Sequence, residues 1–220
     1  MKLYISSYKL GNKKEELKKW LETNDNKIGL IINSRDVFPD GERKTFGIKS
    51  DADELIALGF DVEIVDLKDY FNNNENTKEL FNRLKAFYAI GGNTFVLRKA
   101  MQLSGFDKLL IDNAYNPEYL YAGYSAGVCL LSKSLRGVAV MDEPELDPYK
   151  TNQPPIYDGL GLIDEMIIPH FNSNHKETEL ASKAVEYCKQ NNFSYIAMQD
   201  GDVMIKDITK NNTLKLWLND

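Results

Sequence analysis

Residues 119–131 read YLYAGYSAGVCLL, two apolar runs separated by a short stretch of mostly small residues. The first four residues form an apolar run that predicts a buried strand, and the apolar residues after Gly127 are typical of a helix. Between them lies GYSAG, a G-x-S-x-G motif with Ser125 at its centre. A nucleophile elbow requires this order of strand, sharp turn and helix, because small neighbours let the turn lift the serine hydroxyl out of the sheet. The plainer interpretation is a tight strand-to-helix connection that Ser125 caps.

The rest of the chain alternates short apolar runs with segments of helical period. This alternation predicts strands over residues 2–6, 28–32, 61–67, 86–90, 119–122, 162–168, 195–198, 203–205 and 214–218. Helical segments are predicted around residues 10–21, where Asn12 and Glu15 resemble a capping box, from Ser50 or Asp51 to Gly59, and over 93–116 and 174–191. Tight turns are predicted at Asp200-Gly201 and Asn211-Asn212. Repeated β–α units indicate an α/β fold with a mostly parallel sheet covered by helices on both faces.

The composition is that of a globular protein, with 220 residues, 43% of them hydrophobic, and a net charge of −6. We expect one domain over residues 1–220. The negative charge argues against a nucleic-acid surface. Neither a membrane span nor a signal peptide is expected, since no apolar stretch is long enough. With two cysteines, Cys129 and Cys188, a disulfide framework is not expected, and a reducing cytoplasm is the simplest location.

One stretch, residues 141–159, interrupts the alternation and holds four of the seven prolines. Strand and helix patterns resume directly after it, so we interpret it as a long ordered loop and not as a linker. Ordered loops of this length in compact domains usually have a function.

A serine nucleophile needs a base, and the chain has two histidines. His170 follows a predicted strand, and the carboxyl ends of strands are where open α/β sheets bind ligands. A hydrogen-bonded structural histidine is the alternative interpretation of His170. His175 lies near the start of the next predicted helix, where an exposed histidine is common. The spacing of the two histidines is not that of helical metal ligands, so no metal site is predicted.

Two carboxylates could orient the imidazole in a Ser-His-Asp triad. Asp200 directly follows a predicted strand, and Asp142 begins the proline-rich loop. We favour Asp200 slightly as the orienting acid, because a strand end is more rigid than a loop. The alternatives are a turn residue for Asp200 and an ordinary loop acid for Asp142.

The loop Gly91-Gly92-Asn93 also separates a predicted strand from a helix, which Asn93 is suited to cap. Its glycines would let the backbone approach a ligand, so the loop could supply an oxyanion donor. A phosphate cradle is the competing interpretation, but the P-loop lysine and the G-x-G-x-x-G spacing are missing. Cys129 and Cys188 are interpreted as core residues.

Three motifs occur together in this chain: GGNT at residues 91–94, GYSAG at 123–127 and IPHF at 168–171. In this order and spacing they resemble peptidase family S51, which holds the α-aspartyl dipeptidases (dipeptidase E) and the cyanophycinases. The resemblance runs from the early strands to Gly201. It implies a three-layer sandwich of the flavodoxin-like kind, similar to class I glutamine amidotransferases, with serine at the elbow where those enzymes carry cysteine.

The resemblance also implies roles for individual residues. Ser125 would be the nucleophile and His170 the base, while Asp142 and Asp200 both match acidic residues of the family's site. Gly92 and Ala126 match the backbone donors of the oxyanion hole. The aspartyl dipeptidases place an arginine shortly after the histidine, but residues 172–179 contain none and Glu179 lies near the expected position. Aspartyl specificity is therefore not carried over.

The sequence thus predicts a cytoplasmic serine peptidase that acts on small peptides and needs no cofactor. Its expected partner is a small peptide substrate, without nucleic acid or membrane, and a homodimer is left open. The alternative is a non-catalytic or amidase-like binding module with the same fold, because a fold does not determine a function.

Overall fold

A computed structural model of the protein describes residues 1–208 and the backbone of residues 213–217. The strands of this part of the chain are β1 (Lys2–Ser6), β2 (Lys27–Ile31), β3 (Asp61–Val65), β4 (Ala86–Ala89), β5 (Leu120–Tyr124), β6 (Met166–Ile168), β7 (Tyr195–Ala197), β8 (Val203–Asp207) and β9 (Thr213–Trp217). Its α-helices are α1 (Lys14–Lys18), α2 (Glu42–Leu58), α3 (Asn74–Leu84), α4 (Thr94–Ser104), α5 (Phe106–Asp112), α6 (Ala126–Cys129) and α7 (Thr178–Gln190). Short 3-10 helices cover Gly11–Lys13, Lys19–Glu22, Asn33–Arg35, Leu67–Tyr70 and Val138–Val140. Within the described residues, every helix is too short or too polar to cross a bilayer.

Seven strands form one sheet in the order β3-β2-β4-β5-β1-β8-β9. The strands from β3 to β1 run parallel, whereas β8 is antiparallel to β1 and β9 is antiparallel to β8. A separate small sheet consists of β6 and β7, which pair in parallel. The mostly parallel α/β sheet that the alternation predicts is therefore confirmed.

Helices cover both faces of the large sheet. Along β1, Leu3 and Ile5 point to one face, where they join the apolar cluster that contains Phe81 of α3. Tyr4 points to the other face and joins the cluster that contains Leu55 of α2. All these side chains are buried, which is why the central strands read as continuous apolar runs in the sequence.

A third apolar cluster packs α7 against the small sheet. It joins Ile168 of β6 to Ala184 of α7, and it also contains Cys129 of α6. Because this cluster lies at the carboxyl end of β5, the small sheet is held beside the end of the large one. The residues that follow β6 and β7 therefore come close to those that follow β5.

The parallel strands of the large sheet end together at one edge. The register pairs Ser6 of β1 with Tyr124 of β5, and Ala89 of β4 with Gly123 of β5. The chain segments that leave these strands consequently begin side by side. Open α/β sheets bind their ligands outside this edge.

The structure corrects two helix starts. The helix expected to begin at Ser50 or Asp51 begins at Glu42. The prediction began too late because the first two turns of this helix are largely exposed and therefore have no apolar stripe. It ends at Gly59 in the left-handed region, as predicted. The capping box at Asn12 and Glu15 is wrong, since this segment forms three short helical pieces and neither the first nor the second has a side-chain cap.

Around the small sheet, too, the structure differs from the prediction. The strand predicted over 162–168 covers only β6, because the N–H groups of Leu162 and Ile163 donate to the carbonyl of Leu131. The turn at Asp200-Gly201 exists, but it connects β7 to β8, which belong to different sheets. The turn predicted at Asn211-Asn212 lies outside the described residues.

The proline-rich residues 141–159 form an ordered loop, as predicted, and two buried cations of α4 hold it. Lys99 donates through Nζ to the carbonyl of Gln153 at 2.9 Å. Arg98 donates through Nε to the carbonyl of Asp158 at 3.0 Å and forms an ion pair with Asp107 at 2.8 Å.

Candidate active site

Ser125 lies in the sharp turn between β5 and α6. Its φ and ψ are 50° and −123°, a conformation that a residue with a side chain seldom adopts. The flanking glycines make the turn feasible, because a Cβ at Gly123 or Gly127 would lie 2.4 or 2.1 Å from the carbonyl oxygen of Ala89. The helix that follows is only one turn long, shorter than the apolar sequence predicts.

His170 directly follows Pro169 at the end of β6, and it also has a positive φ, of 62°. Its side chain is 2% exposed. Its Nε2 lies 3.0 Å from the Oγ of Ser125, within hydrogen-bond distance. The structure thus brings together the serine of the elbow and the histidine of the neighbouring sheet edge.

Asp200 holds the other side of the imidazole, with Oδ1 2.7 Å from His170 Nδ1. The pairing of β6 with β7 places the two residues together, since Ile168 pairs with Ala197. Burial alone would raise the pKa of Asp200, but its hydrogen bonds with His170 and Ser7 lower that pKa below the ordinary value. A carboxylate on Nδ1 leaves Nε2 as the nitrogen that can accept a proton from Ser125.

Ser7, immediately after β1, is a polar residue of this site that the sequence analysis missed. Its hydroxyl lies 3.0 Å from Asp200 Oδ1 and 3.3 Å from the carbonyl oxygen of Met198. It also accepts the backbone N–H of His170 at 2.9 Å. The rule that selected His170, a polar residue at the carboxyl end of a predicted strand, would also have selected Ser7.

Asp142 lies elsewhere in the site. Its Oδ2 accepts the backbone N–H of Thr94 at 2.8 Å, and no hydrogen bond joins it to His170 among the described residues. Burial of the carboxyl group, together with the nearby charge of Glu177, raises the pKa of Asp142 to about 6. Asp142 is therefore a second acid, on the α4 side of the site, and its pKa is raised whereas that of Asp200 is lowered.

The Gly91-Gly92-Asn93 loop packs directly against the elbow. A Cβ at Gly91 would lie 3.2 Å from the Cβ of Ser125, and one at Gly92 would lie 2.3 Å from the carbonyl oxygen of Ser34. Asn93 caps α4, as predicted, because its Oδ1 accepts the N–H of Val96 at 3.0 Å. Glycine is therefore needed at position 91 for the loop to pack against the elbow, and at position 92 for it to pack against Ser34.

A buried ion-pair network supports this loop and was not predicted. Asp51, whose side chain is 1% exposed, pairs with Arg35 at 2.6 Å and with Lys9 at 2.5 Å. Arg35 also donates to the hydroxyl of Tyr124 at 2.9 Å and to the carbonyl of Gly91 at 3.4 Å. The guanidinium thus connects the glycine loop with the residue before Ser125.

His175 and Glu177 lie at the rim of the site, in the turn that precedes α7. The helix begins at Thr178 and not near residue 174, because the N–H of Ser173 donates to the side chain of Thr178 and closes a turn. The ring of His175 stacks on that of His170 with centroids 3.8 Å apart, and burial together with this neighbour lowers the pKa of His175. Glu177 Oε2 lies 3.9 Å from His170 Nε2.

Both cysteines are buried core residues, as predicted. Burial raises the pKa of each thiol, so neither is favoured as a thiolate. The site is therefore built from Ser125, His170 and Asp200 in hydrogen-bond sequence, with Gly91, Gly92 and the backbone of Ala126 beside the serine.

The chain matches known peptidases in sequence. The model of peptidase family S51 matches residues 42–211. An uncharacterized peptidase of Listeria monocytogenes serovar 1/2a (strain ATCC BAA-679 / EGD-e) is 31% identical over 147 residues, which is 66% of this chain and 66% of the relative. An uncharacterized peptidase of Listeria innocua serovar 6a (strain ATCC BAA-680 / CLIP 11262) is 32% identical over 126 residues, which is 54% of this chain and 57% of that relative. The chain thus matches just under two thirds of the first relative's length and over half of the second's.

Two crystal structures share the fold. A candidate peptidase E protein from Listeria monocytogenes EGD-e superposes with a TM-score of 0.79 at 20% identity, covering 100% of this chain and 98% of that one. A peptidase from an acI-B1 Actinobacterium superposes with a TM-score of 0.66 at 16% identity, covering 99% of this chain and 87% of that one. At these identities the likeness shows the fold, which confirms the flavodoxin-like architecture.

Proposed function

The chain belongs to peptidase family S51, and on this premise we propose that it is a serine-type peptidase that hydrolyses small peptides. The observation that carries the proposal is the hydrogen-bond sequence from Ser125 through His170 to Asp200, with distances of 3.0 and 2.7 Å. Nucleophile, base and orienting acid are recognised by this geometry and not by their order in the chain.

In the proposed reaction, Ser125 Oγ attacks the carbonyl carbon of the scissile peptide bond while His170 Nε2 takes its proton. Asp200 keeps the ring in the tautomer with hydrogen on Nδ1 and stabilises the imidazolium that forms. The imidazolium then gives its proton to the leaving amine, which departs as the acyl-enzyme forms. Water, deprotonated by the same histidine, attacks the acyl carbon, and the ester bond to Ser125 Oγ breaks as the imidazolium returns its proton to that oxygen.

We assign the oxyanion hole to the backbone N–H groups of Gly92 and Ala126. Ala126 is the first residue of α6, so its N–H has no acceptor within the helix. The assignment of Gly92 is supported by its place in the chain directly after Gly91, which packs against Ser125. A donor of this kind typically contributes about 10²–10³-fold to the rate.

Small peptides are the proposed substrates because an ordered loop flanks the site. Residues 141–159 bring Asp142 to the α4 side of the glycine loop, where the side chain of Asn93 donates to the carbonyl of Glu143. Lys99 and Arg98 anchor the far part of this loop. A rigid wall of this kind favours substrates with few residues on either side of the scissile bond. The two free cysteines are consistent with action in the cytoplasm.

The direct test is labelling with a fluorophosphonate, followed by peptide mass spectrometry. We expect the adduct on Ser125, and we expect none in Ser125→Ala, with Cys129→Ser as a control that still labels. A screen of dipeptides and tripeptides should then find a substrate that the unaltered protein hydrolyses. In Ser125→Ala we expect only a residual rate enhancement of roughly 10³–10⁴-fold over the uncatalysed reaction in water. An unlabelled protein that cleaves none of these peptides would instead support a non-catalytic binding module.

A further inference from the structure

Three potential metal ligands surround one point at the rim of the site. His170, His175 and Glu177 each offer one ligand atom, and these atoms all lie within 4.8 Å of one another. The pair His170 Nε2 and Glu177 Oε2 is 3.9 Å apart. Two imidazoles and one carboxylate form a ligand set that suits Zn²⁺.

His170 is already oriented as a metal ligand would be. Zinc-bound histidines usually donate their second ring N–H to a carboxylate, which fixes the ring and increases the basicity of the other nitrogen. Asp200, at 2.7 Å from Nδ1, is in that position. The same feature that prepares Nε2 to accept the proton of Ser125 therefore also prepares it to bind a cation.

The remaining ligands need only local rearrangement. A tetrahedral zinc ion with bonds of about 2.0–2.2 Å holds its ligand atoms roughly 3.3–3.6 Å apart. The separation of His170 Nε2 and Glu177 Oε2, now 3.9 Å, would shorten by roughly 0.5 Å, and the widest separation in the cluster, at most 4.8 Å, by up to about 1.5 Å. His175 would tilt out of its stack on His170, and its present hydrogen bond from the N–H of Glu177 is long, at 3.2 Å. The ion pair of Glu177 with Lys176 is no obstacle, because the lysine side chain is 77% exposed and such pairs contribute little.

We propose that His170, His175 and Glu177 form an inhibitory Zn²⁺ site. Zinc would take the Nε2 lone pair of His170, which then can no longer accept the proton of Ser125. A water molecule or the hydroxyl of Ser125, 3.0 Å from Nε2, would complete the coordination. The inhibitory effect rests on the proposed peptidase function, whereas the metal site itself does not.

Calorimetric titration of the metal-free protein with Zn²⁺ alone tests the site without requiring activity. We expect one equivalent to bind, and both His175→Gln and Glu177→Gln to weaken its binding at least tenfold. Glu179→Gln is the matched control, since Glu179 is exposed in the first turn of α7, and it should bind zinc like the unaltered protein. Absence of binding, or equal affinity in all three variants, would overturn the proposal.

Inhibition is tested with a dipeptide substrate, each variant being compared with its own zinc-free rate. Zinc should inhibit the unaltered protein over the concentration range in which it binds, a chelator should restore the rate, and His175→Gln should need at least tenfold more zinc. Zinc that binds without inhibiting would overturn the inhibitory role. A protein that binds zinc through these residues but cleaves no peptide would support the metal site and contradict the proposed function.

Discussion

The hydroxyl of Ser7 lies 3.0 Å from Asp200 Oδ1, the carboxylate oxygen that faces His170 Nδ1 at 2.7 Å. Ser7 also accepts the backbone N–H of His170, so one side chain connects Asp200 with His170. This contact joins β1 of the large sheet to the ends of both strands of the small sheet. It ties the two parts of the proposed site together.

Ser7→Ala should lower kcat with little change in KM, because Ser7 positions Asp200 and His170 and lies behind them. Loss of a hydrogen bond to a charged group costs about 1.5–3 kcal/mol, which corresponds to roughly a 10–100-fold decrease. Steady-state kinetics with one dipeptide would measure both constants. Ser6→Ala is the matched control, since the hydroxyl of Ser6 donates to the carbonyl of Tyr8. A kcat for Ser7→Ala within twofold of the unaltered value would contradict this role.

The two candidate acids should differ sharply on substitution by asparagine. Asp200→Asn keeps the shape but favours the wrong tautomer of His170, and we expect kcat to fall about 10³–10⁴-fold. Asp142→Asn leaves the Asp200 contact intact and should cost less than tenfold, since its carboxylate accepts from Thr94 and not from the imidazole. Measured kcat values decide the point. The reverse order of the two effects would assign the orienting role to Asp142.

Asp142 should also make stability depend on pH. Its pKa of about 6 in the folded state lies above its ordinary value, because burial and the charge of Glu177 disfavour the carboxylate more than the hydrogen bonds from Thr94 and the charge of His170 favour it. The protonated form therefore contributes stability that is fully present below the ordinary pKa and is lost as pH rises through about 6.

Asp142→Asn removes this titration, so the variant does not lose this stability as pH rises. The unfolding free energy of the variant minus that of the unaltered protein should therefore be larger at pH 7.5 than at pH 4.5. Urea unfolding at the two pH values measures that difference. Asp158→Asn, an exposed position in the same loop, is the control and should show no such change. An equal difference at both pH values would show that the carboxyl group of Asp142 is well solvated.

The features predicted correctly are those that leave a local pattern in the sequence. Strands β1, β4 and β5 were located to within two residues, because strands covered on both faces read as apolar runs. The turn at Ser125 was visible because its glycines are required locally against β4. The position of His170 at a sheet edge followed from the strand before it.

The features missed depend on contacts between distant parts of the chain. Arg35, Asp51 and Tyr124 meet only after packing, and each of them alone reads as an ordinary polar residue. The stacking of His175 on His170 was not foreseen either, because the predicted helix began too early and placed His175 on an exposed helix turn. Helix starts with exposed first turns lack an apolar pattern, so periodicity could not locate them.

An acidic side chain before the scissile bond should not be preferred by this protein. Holding a desolvated carboxylate requires a cation, best a bidentate arginine. Residues 138–179 contain nine acids against two lysines, and Glu177 lies 3.9 Å from His170 Nε2. Arg98 and Arg35 are engaged elsewhere, since Arg98 pairs with Asp107 and Arg35 pairs with Asp51, and the guanidinium of Arg136 lies over the ring of Tyr157.

Dipeptides beginning with Asn, Ala and Lys should therefore be cleaved at least as well as one beginning with Asp, because the carboxylate of Glu177 beside His170 attracts cationic substrates and repels acidic ones. The measurement is kcat/KM for the matched set of four. Any advantage of Lys should decrease as salt is added, since screening weakens attraction over such distances. A tenfold or larger preference for Asp, about 1.4 kcal/mol of transition-state discrimination, would contradict the prediction. It would mean that Arg35, Arg98 or Arg136 leaves its present partner to bind the substrate.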